Sequence, residues 1–138
     1  MAESIIIHFD VSSPSQVIEC LNRAFDHQNE NSWYHPKEDY LIMIDSFEDY
    51  EVEYERKEKE IIEQKLMATP KVSYEFEIRR SKSDEACDLI EKFIKTELNG
   101  LKFIVDDMDQ IYTKDEINEV SDFLDIYRYK KLKSKSAQ

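Results

Sequence analysis

Val72-Ser73-Tyr74-Glu75-Phe76-Glu77-Ile78 sets an apolar residue at every second position, with polar or charged residues between. Successive side chains of an extended chain point to opposite faces, so the pattern predicts a strand with one face on a core and one in water. A strand with a wet face is expected near the edge of a sheet.

Working outward, two further segments are apolar almost throughout. Residues 4–9, Ser-Ile-Ile-Ile-His-Phe, are β-branched and end at the turn-forming Asp10-Val-Ser-Ser-Pro, which predicts a buried first strand. Tyr40-Leu-Ile-Met-Ile44 predicts a second, central one. Leu101–Val105 predicts a fourth, on the far side of the 72–78 segment.

Helical spacing fills the intervals. Ser13 offers an N-cap with Pro14 in the first turn and Gln16 completing a capping box, ahead of Val17, Ile18, Leu21 and Phe25 on one face. Residues 29–37 are polar and are expected to form a loop that exposes Trp33 and Tyr34. Residues 48–67 are rich in helix formers and place Phe47, Tyr50, Tyr54, Ile61, Ile62 and Leu66 at spacings that meet a core. Ser83 is placed to cap a helix with a stripe of Ala86, Leu89, Ile90, Phe93 and Ile94, and Asn99-Gly100 to end it. Gly100 is the only glycine, and a left-handed C-cap is the position that requires one. Thr113-Lys-Asp-Glu116 is a second capping box, opening a last helix with Ile117, Val120, Leu124 and Tyr127.

The order β-α-β-(α)-β-α-β-α predicts an α/β (α+β) chain with a four-stranded sheet and helices packed on one face. This is a ferredoxin-like βαββαβ arrangement with an extra helix between strands 2 and 3 and a C-terminal helix. At 138 residues, 41% of them hydrophobic, the chain suits one domain. Its expected extent is 1–129, with 130–138 as a basic tail outside it.

Charge is the strongest functional signal. The net charge is −12, yet no acidic residue follows Asp125, and Arg128, Lys130, Lys131, Lys133 and Lys135 close the sequence. Without those five cations, residues 1–127 carry −17. Such a body repels phosphate backbones and anionic headgroups, which argues against direct nucleic-acid or membrane binding, and it attracts a basic protein from a distance. Cys20 and Cys87 stand singly in apolar-patterned segments, as buried reduced thiols of a cytoplasmic protein do. No apolar run approaches the roughly 20 residues that cross a bilayer.

Catalytic signals are weak. One glycine cannot build a phosphate-cradling loop. His8, His27 and His35 fall at no zinc-binding spacing. Asp106, Asp107 and Asp109 follow the fourth strand, where carboxylates could hold a hard cation, but they lack the glycine and terminal glutamate of a calcium loop. Neither a metal nor a cofactor is expected.

The segment around Asp45, Glu48, Asp49, Tyr50, Glu51, Glu53, Tyr54 and Glu55 is more informative, because residues 48–55 carry no positive charge. Tyrosines among carboxylates suit a protein interface, where the ring supplies area and the hydroxyl tolerates water. Asp106, Asp107, Asp109 and Tyr112 form a second candidate surface.

A short acidic α/β chain with Tyr/Asp/Glu-rich segments at 38–55 and 106–125 resembles the immunity proteins of bacterial toxin systems. The resemblance implies a stoichiometric inhibitor, not an enzyme, that neutralises a basic toxin such as a nuclease by steric occlusion reinforced by charge. Two alternatives remain open at this level. One is an acidic adaptor or DNA-mimic inhibitor, and the other is an enzyme that uses the 106–109 carboxylates with a metal.

Overall fold

The computed structural model describes residues 3–35, 41–79, 83–120 and 123–127. The tail expected at 130–138 lies outside them. The elements in chain order are β1 (Glu3–Phe9), α1 (Ser15–Ala24), β2 (Asp26–Asn29), β3 (Ser32–Tyr34), β4 (Ile42–Ser46), α2 (Tyr50–Glu53), α3 (Arg56–Leu66), β5 (Val72–Ile78), α4 (Ser83–Thr96), β6 (Phe103–Asp106), β7 (Ile111–Thr113) and α5 (Lys114–Glu119). A 3-10 turn at Asp125–Tyr127 follows.

The strands form one sheet of seven in the order β2-β3-β4-β5-β1-β6-β7, every neighbour antiparallel. The four-stranded ferredoxin-like sheet is therefore incorrect. The four anticipated strands are its contiguous centre, β4-β5-β1-β6, but a hairpin extends it at one end and β7 at the other. The 72–78 segment is likewise not an edge. It is β5, paired along its length with β1 and over five residues with β4.

Alternation along the central strands sorts their side chains onto two faces. On the first, Ile5 lies opposite Phe76, and Ile7 opposite both Tyr74 and Val105; Ile44 also faces Phe76 and, on its other side, Trp33. These residues join the buried stripes of α1 (Val17, Cys20, Leu21) and α4 (Ala86, Cys87, Ile90, Phe93, Ile94) in the main core. Non-directional burial of this area, at about 25 cal/mol per Å2, is the chief force holding the sheet to the two helices. Both cysteines are buried there.

On the second face, Ile6, Ile62, Leu66, Ile104, Tyr50 and Tyr54 form a smaller core beneath α2 and α3. Helices thus cover both faces, which corrects the one-faced packing expected from sequence. The 48–67 helix is also two helices. Tyr54 and Glu55 are extended, and Glu55 and Glu58 form a capping box that starts α3 afresh. Ile61, expected in the core, is 45% exposed.

Three more expectations are corrected. Trp33 is not in an exposed loop: it sits on β3, 1% exposed, stacked on His27, with its indole N–H donating to Asn22 Oδ1 at 2.8 Å. The last helix stops at Glu119, and a left-handed residue at Leu124 turns the chain so that Leu124 and Tyr127 still reach the main core. Gly100 is not a left-handed cap, since no described glycine has positive φ; Met67 takes that conformation at the end of α3 (φ 59).

This reversal of roles gives a prediction. Met67→Gly should stabilise the protein by roughly 0.5–1 kcal/mol, because a side chain in the left-handed region carries a penalty that glycine avoids. Gly100→Ala should be neutral or stabilising by up to about 1 kcal/mol, since no atom lies within 4 Å of the added Cβ. Urea melts of the two variants check both signs. Destabilisation by Gly100→Ala would show that the turn needs a glycine after all.

Candidate functional site

Between the strand end at Ser46 and the start of α3 the chain lies across one end of the second face, and a buried polar relay fastens it there. His8, fully buried on β1, places Nδ1 2.6 Å from Ser73 Oγ and Nε2 3.0 Å from the Tyr54 hydroxyl. Tyr54 donates its own proton to Asp106 Oδ2 at 2.6 Å, so its oxygen accepts from His8 Nε2–H. That assignment makes Nδ1 the acceptor for Ser73, and the neutral ring is fully used. Asp106 Oδ1 accepts from the Met108 N–H at 2.9 Å. The edges and faces of Phe47, Tyr50 and Tyr54 close around the imidazole with centroids 5.4–6.4 Å away.

Burial sets the electrostatics. Desolvation lowers the His8 pKa to about 4, so the ring is neutral near pH 7. Desolvation, followed by the hydrogen bond to Asp106, pushes the Tyr54 hydroxyl well above its ordinary range. Asp106 is raised by desolvation, against the pull of the Tyr54 and Met108 hydrogen bonds. No buried side-chain nitrogen or oxygen lacks a partner among the described residues. The relay reads as a fastening, satisfied at every atom, rather than a set of groups waiting for a substrate.

The relay also brings the two sequence-predicted surfaces together. A cleft of about 430 Å3 is lined by Phe47, Glu48, Asp49, Glu53 and Tyr54 on one side and by Ile6, Glu75 and Met108 on the other. An adjoining one of about 360 Å3, lined in part by Asp106 and Asp109, shares Glu58 and Met108 with it. Residues some fifty positions apart in sequence therefore border one acidic trough.

Not every predicted residue belongs to it. Tyr50 is buried and donates to Glu63 Oε2 at 2.9 Å. Glu51 pairs with Lys59 at 3.2 Å, and Glu55 caps α3. Asp107 is buried and accepts from the backbone N–H groups of Asp109 and Gln110, holding the β6–β7 turn. Tyr112 packs edge-on against Phe123 in the main core, on the opposite side of the sheet.

Asp45 leads instead to a feature that the sequence reading missed. It is exposed on β4, accepts from the Ser32 hydroxyl, and lies directly opposite Glu75 of β5. Glu77, also exposed, is two positions further along β5, opposite both Met43 and Ser4. Among the described residues, Asp45 and Glu77 are exposed and Glu75 is partly buried, lining the cleft beside Tyr54. Like charges directly opposite across strands are destabilising. No protein-family model matches this chain, and neither a curated protein nor a solved structure does.

Apart from Lys65, which lines the second cleft and pairs with Glu116 at 3.0 Å, the charged residues along the trough are acidic. Among the described residues the ion pairs are made by Asp10, Glu51, Glu60, Glu91, Glu97 and Glu116, and none involves Asp45, Glu48, Asp49, Glu53, Glu75 or Glu77. Exposed Met108 adds apolar area to the trough. Among the described residues no group of three or more His, Cys, Asp or Glu side chains is arranged to hold a metal ion, and no helix is long and apolar enough to cross a membrane.

Proposed function

We propose that the chain is a stoichiometric binding protein whose acidic row on β4 and β5, with the trough beside it, captures a basic protein. In the finer form of this reading it is an immunity protein that neutralises a basic toxin. The observation that carries the reading is the opposition of Asp45 and Glu75 on neighbouring strands, with Glu77 next to them and no cation paired to any of the three among the described residues. An arrangement that costs stability in the free chain becomes favourable once Lys or Arg side chains of a partner lie over it. Binding would occlude the partner's surface, and long-range attraction would speed the encounter.

The test is the variant Glu75→Lys with Glu77→Lys, measured against proteins captured from lysate of the native host. The variant should be as stable as the parent or more stable by about 0.2–1 kcal/mol, because the carboxylate repulsion is gone. Its association with the captured basic protein should slow at least tenfold at low salt. An unchanged association rate would remove the acidic row from the interface.

A further inference from the structure

Of the asparagines in the chain only Asn99 precedes a glycine, and Gly100 is the only glycine. The pair lies in the turn between α4 and β6, and both residues are exposed. Its flanks are fixed. Leu98 is fully buried, the Leu101 N–H donates to the Leu98 carbonyl at 2.9 Å, and the Lys102 carbonyl accepts from the Asp10 N–H at 3.0 Å. The pair itself is open: no atom lies within 4 Å of a Cβ placed on Gly100, and among the described residues neither the Asn99 side-chain amide nor the Gly100 N–H has a hydrogen-bond partner. A cation is directed at it, since the Lys114 ammonium donates to the Asn99 backbone carbonyl. The other asparagines are placed differently. Asn22 Oδ1 accepts from Trp33 and Asn29 Oδ1 from the Asn31 N–H, Asn31 leads into β3, and Asn118 lies within α5.

We propose that Asn99-Gly100 is a self-modification site, at which the side-chain amide of Asn99 is converted to a carboxylate with the help of Lys114. Loss of the Gly100 N–H proton to hydroxide leaves a nitrogen that attacks Asn99 Cγ. The new N–Cγ bond closes a succinimide ring, the Cγ–Nδ2 bond breaks, and Nδ2 takes a proton from water and leaves as ammonia. Water then opens the ring at Cγ, giving aspartate, or at the backbone carbonyl carbon, giving isoaspartate, whose main chain runs through Cγ. In sum an amide and water become a carboxylate and ammonium, and nothing is oxidised or reduced. Two features of the turn favour the first step. Glycine has no side chain to obstruct its own nitrogen and opens the backbone angles that ring closure demands. The charge that develops on the deprotonated peptide is shared with the Asn99 carbonyl oxygen, where the Lys114 ammonium stabilises it. Lys102 and Lys114 line the cleft beside Gly100, so a carboxylate added here to an acidic chain has cations for neighbours. This modification does not depend on the function proposed above.

Ageing of the purified full chain at neutral pH and physiological temperature tests this. Ion-exchange chromatography follows the gain of negative charge, and peptide mapping by mass spectrometry, with electron-transfer fragmentation to separate isoaspartate from aspartate, locates it. The expected result is a more acidic form that accumulates with first-order kinetics and carries aspartate and isoaspartate at position 99, while Asn22, Asn29, Asn31 and Asn118 keep their amides. Gly100→Ala, which should fold at least as stably as the parent, should slow the change by about tenfold or more. Lys114→Gln should slow it by about two- to fivefold, the size of an exposed charge interaction, and Lys114→Arg should restore much of the rate. In urea, where unfolding takes Lys114 away from the turn, the parent and Lys114→Gln should age alike. Modification at an asparagine other than Asn99, or a folded Lys114→Gln chain that ages as fast as the parent, would overturn the proposal.

Discussion

Tyr54→Ala is expected to destabilise the protein by about 3–5 kcal/mol, the range for deleting a large buried aromatic side chain. Tyr54 is 7% exposed, packs against Phe47 and Tyr50, and joins His8 to Asp106. Tyr54→Phe separates the two contributions. It keeps the ring but strips a donor from Asp106 and an acceptor from His8 Nε2, and should cost about 1–3 kcal/mol. Urea denaturation of the three proteins gives both numbers. A Tyr54→Ala variant that melts like the parent would mean that the ring is an interface anchor and that α2 is held by something else.

The second large effect is a dependence of stability on pH through His8. In the folded protein burial holds its pKa at about 4, while in the unfolded chain it returns to the ordinary imidazole value of 6.5. Between those values the unfolded state binds a proton that the folded state does not. Stability therefore falls as pH drops through this window and levels off below pH 4. A shift of this size is worth about 3 kcal/mol. Asp106 works in the opposite sense. Its folded pKa is raised, so at low pH the native state takes up that proton more readily than the unfolded chain. His8→Gln isolates the histidine: it should cost about 1–2 kcal/mol at pH 7 through altered hydrogen bonds, yet remove most of the slope between pH 6.5 and 4. The same slope in both proteins would show that other groups cause the acid sensitivity.

These effects come from a part of the molecule that the sequence shows only in fragments. The strands β1, β4, β5 and β6 are legible because their apolar residues lie on a sheet face that must be buried, and burial writes the pattern. The β2–β3 hairpin is not, because all four residues of β2, Asp26–Asn29, are exposed at the sheet edge and no alternation is imposed on them. Trp33 took its expected exposure from polar neighbours, whereas its own size is what the core uses. The break at Tyr54-Glu55 was hidden because its capping box, Glu55 with Glu58, is made of the same residue type as the charged run around it.

The candidate site divides in the same way. Its charge is legible, since acidic residues cannot be concealed in composition. Its construction is not, because His8, Tyr54 and Asp106 meet across 46 and 52 residues of sequence. One local signal was present: a histidine inside the run Ile5-Ile6-Ile7-His8-Phe9 must find partners on the face it shares with Ile6. The wet face of β5 was also read correctly as polar but assigned to an edge. It is central: Ser73 is buried beneath the second core, Glu75 is partly buried beside Tyr54, and Glu77 is exposed.

The proposed contact with the partner is this acidic row on β4 and β5, rather than acidity in general. Carboxylate footprinting tests it most directly: the chain is labelled with glycine ethyl ester, free and saturated with the basic protein it captures, and modification is read residue by residue. The account predicts that Asp45, Glu75, Glu77, Asp49 and Glu53 become protected severalfold while Glu85, Asp115 and Glu119 react as before. Protection centred on Glu85 or Glu119, with Glu75 and Glu77 still open to reagent, would contradict it.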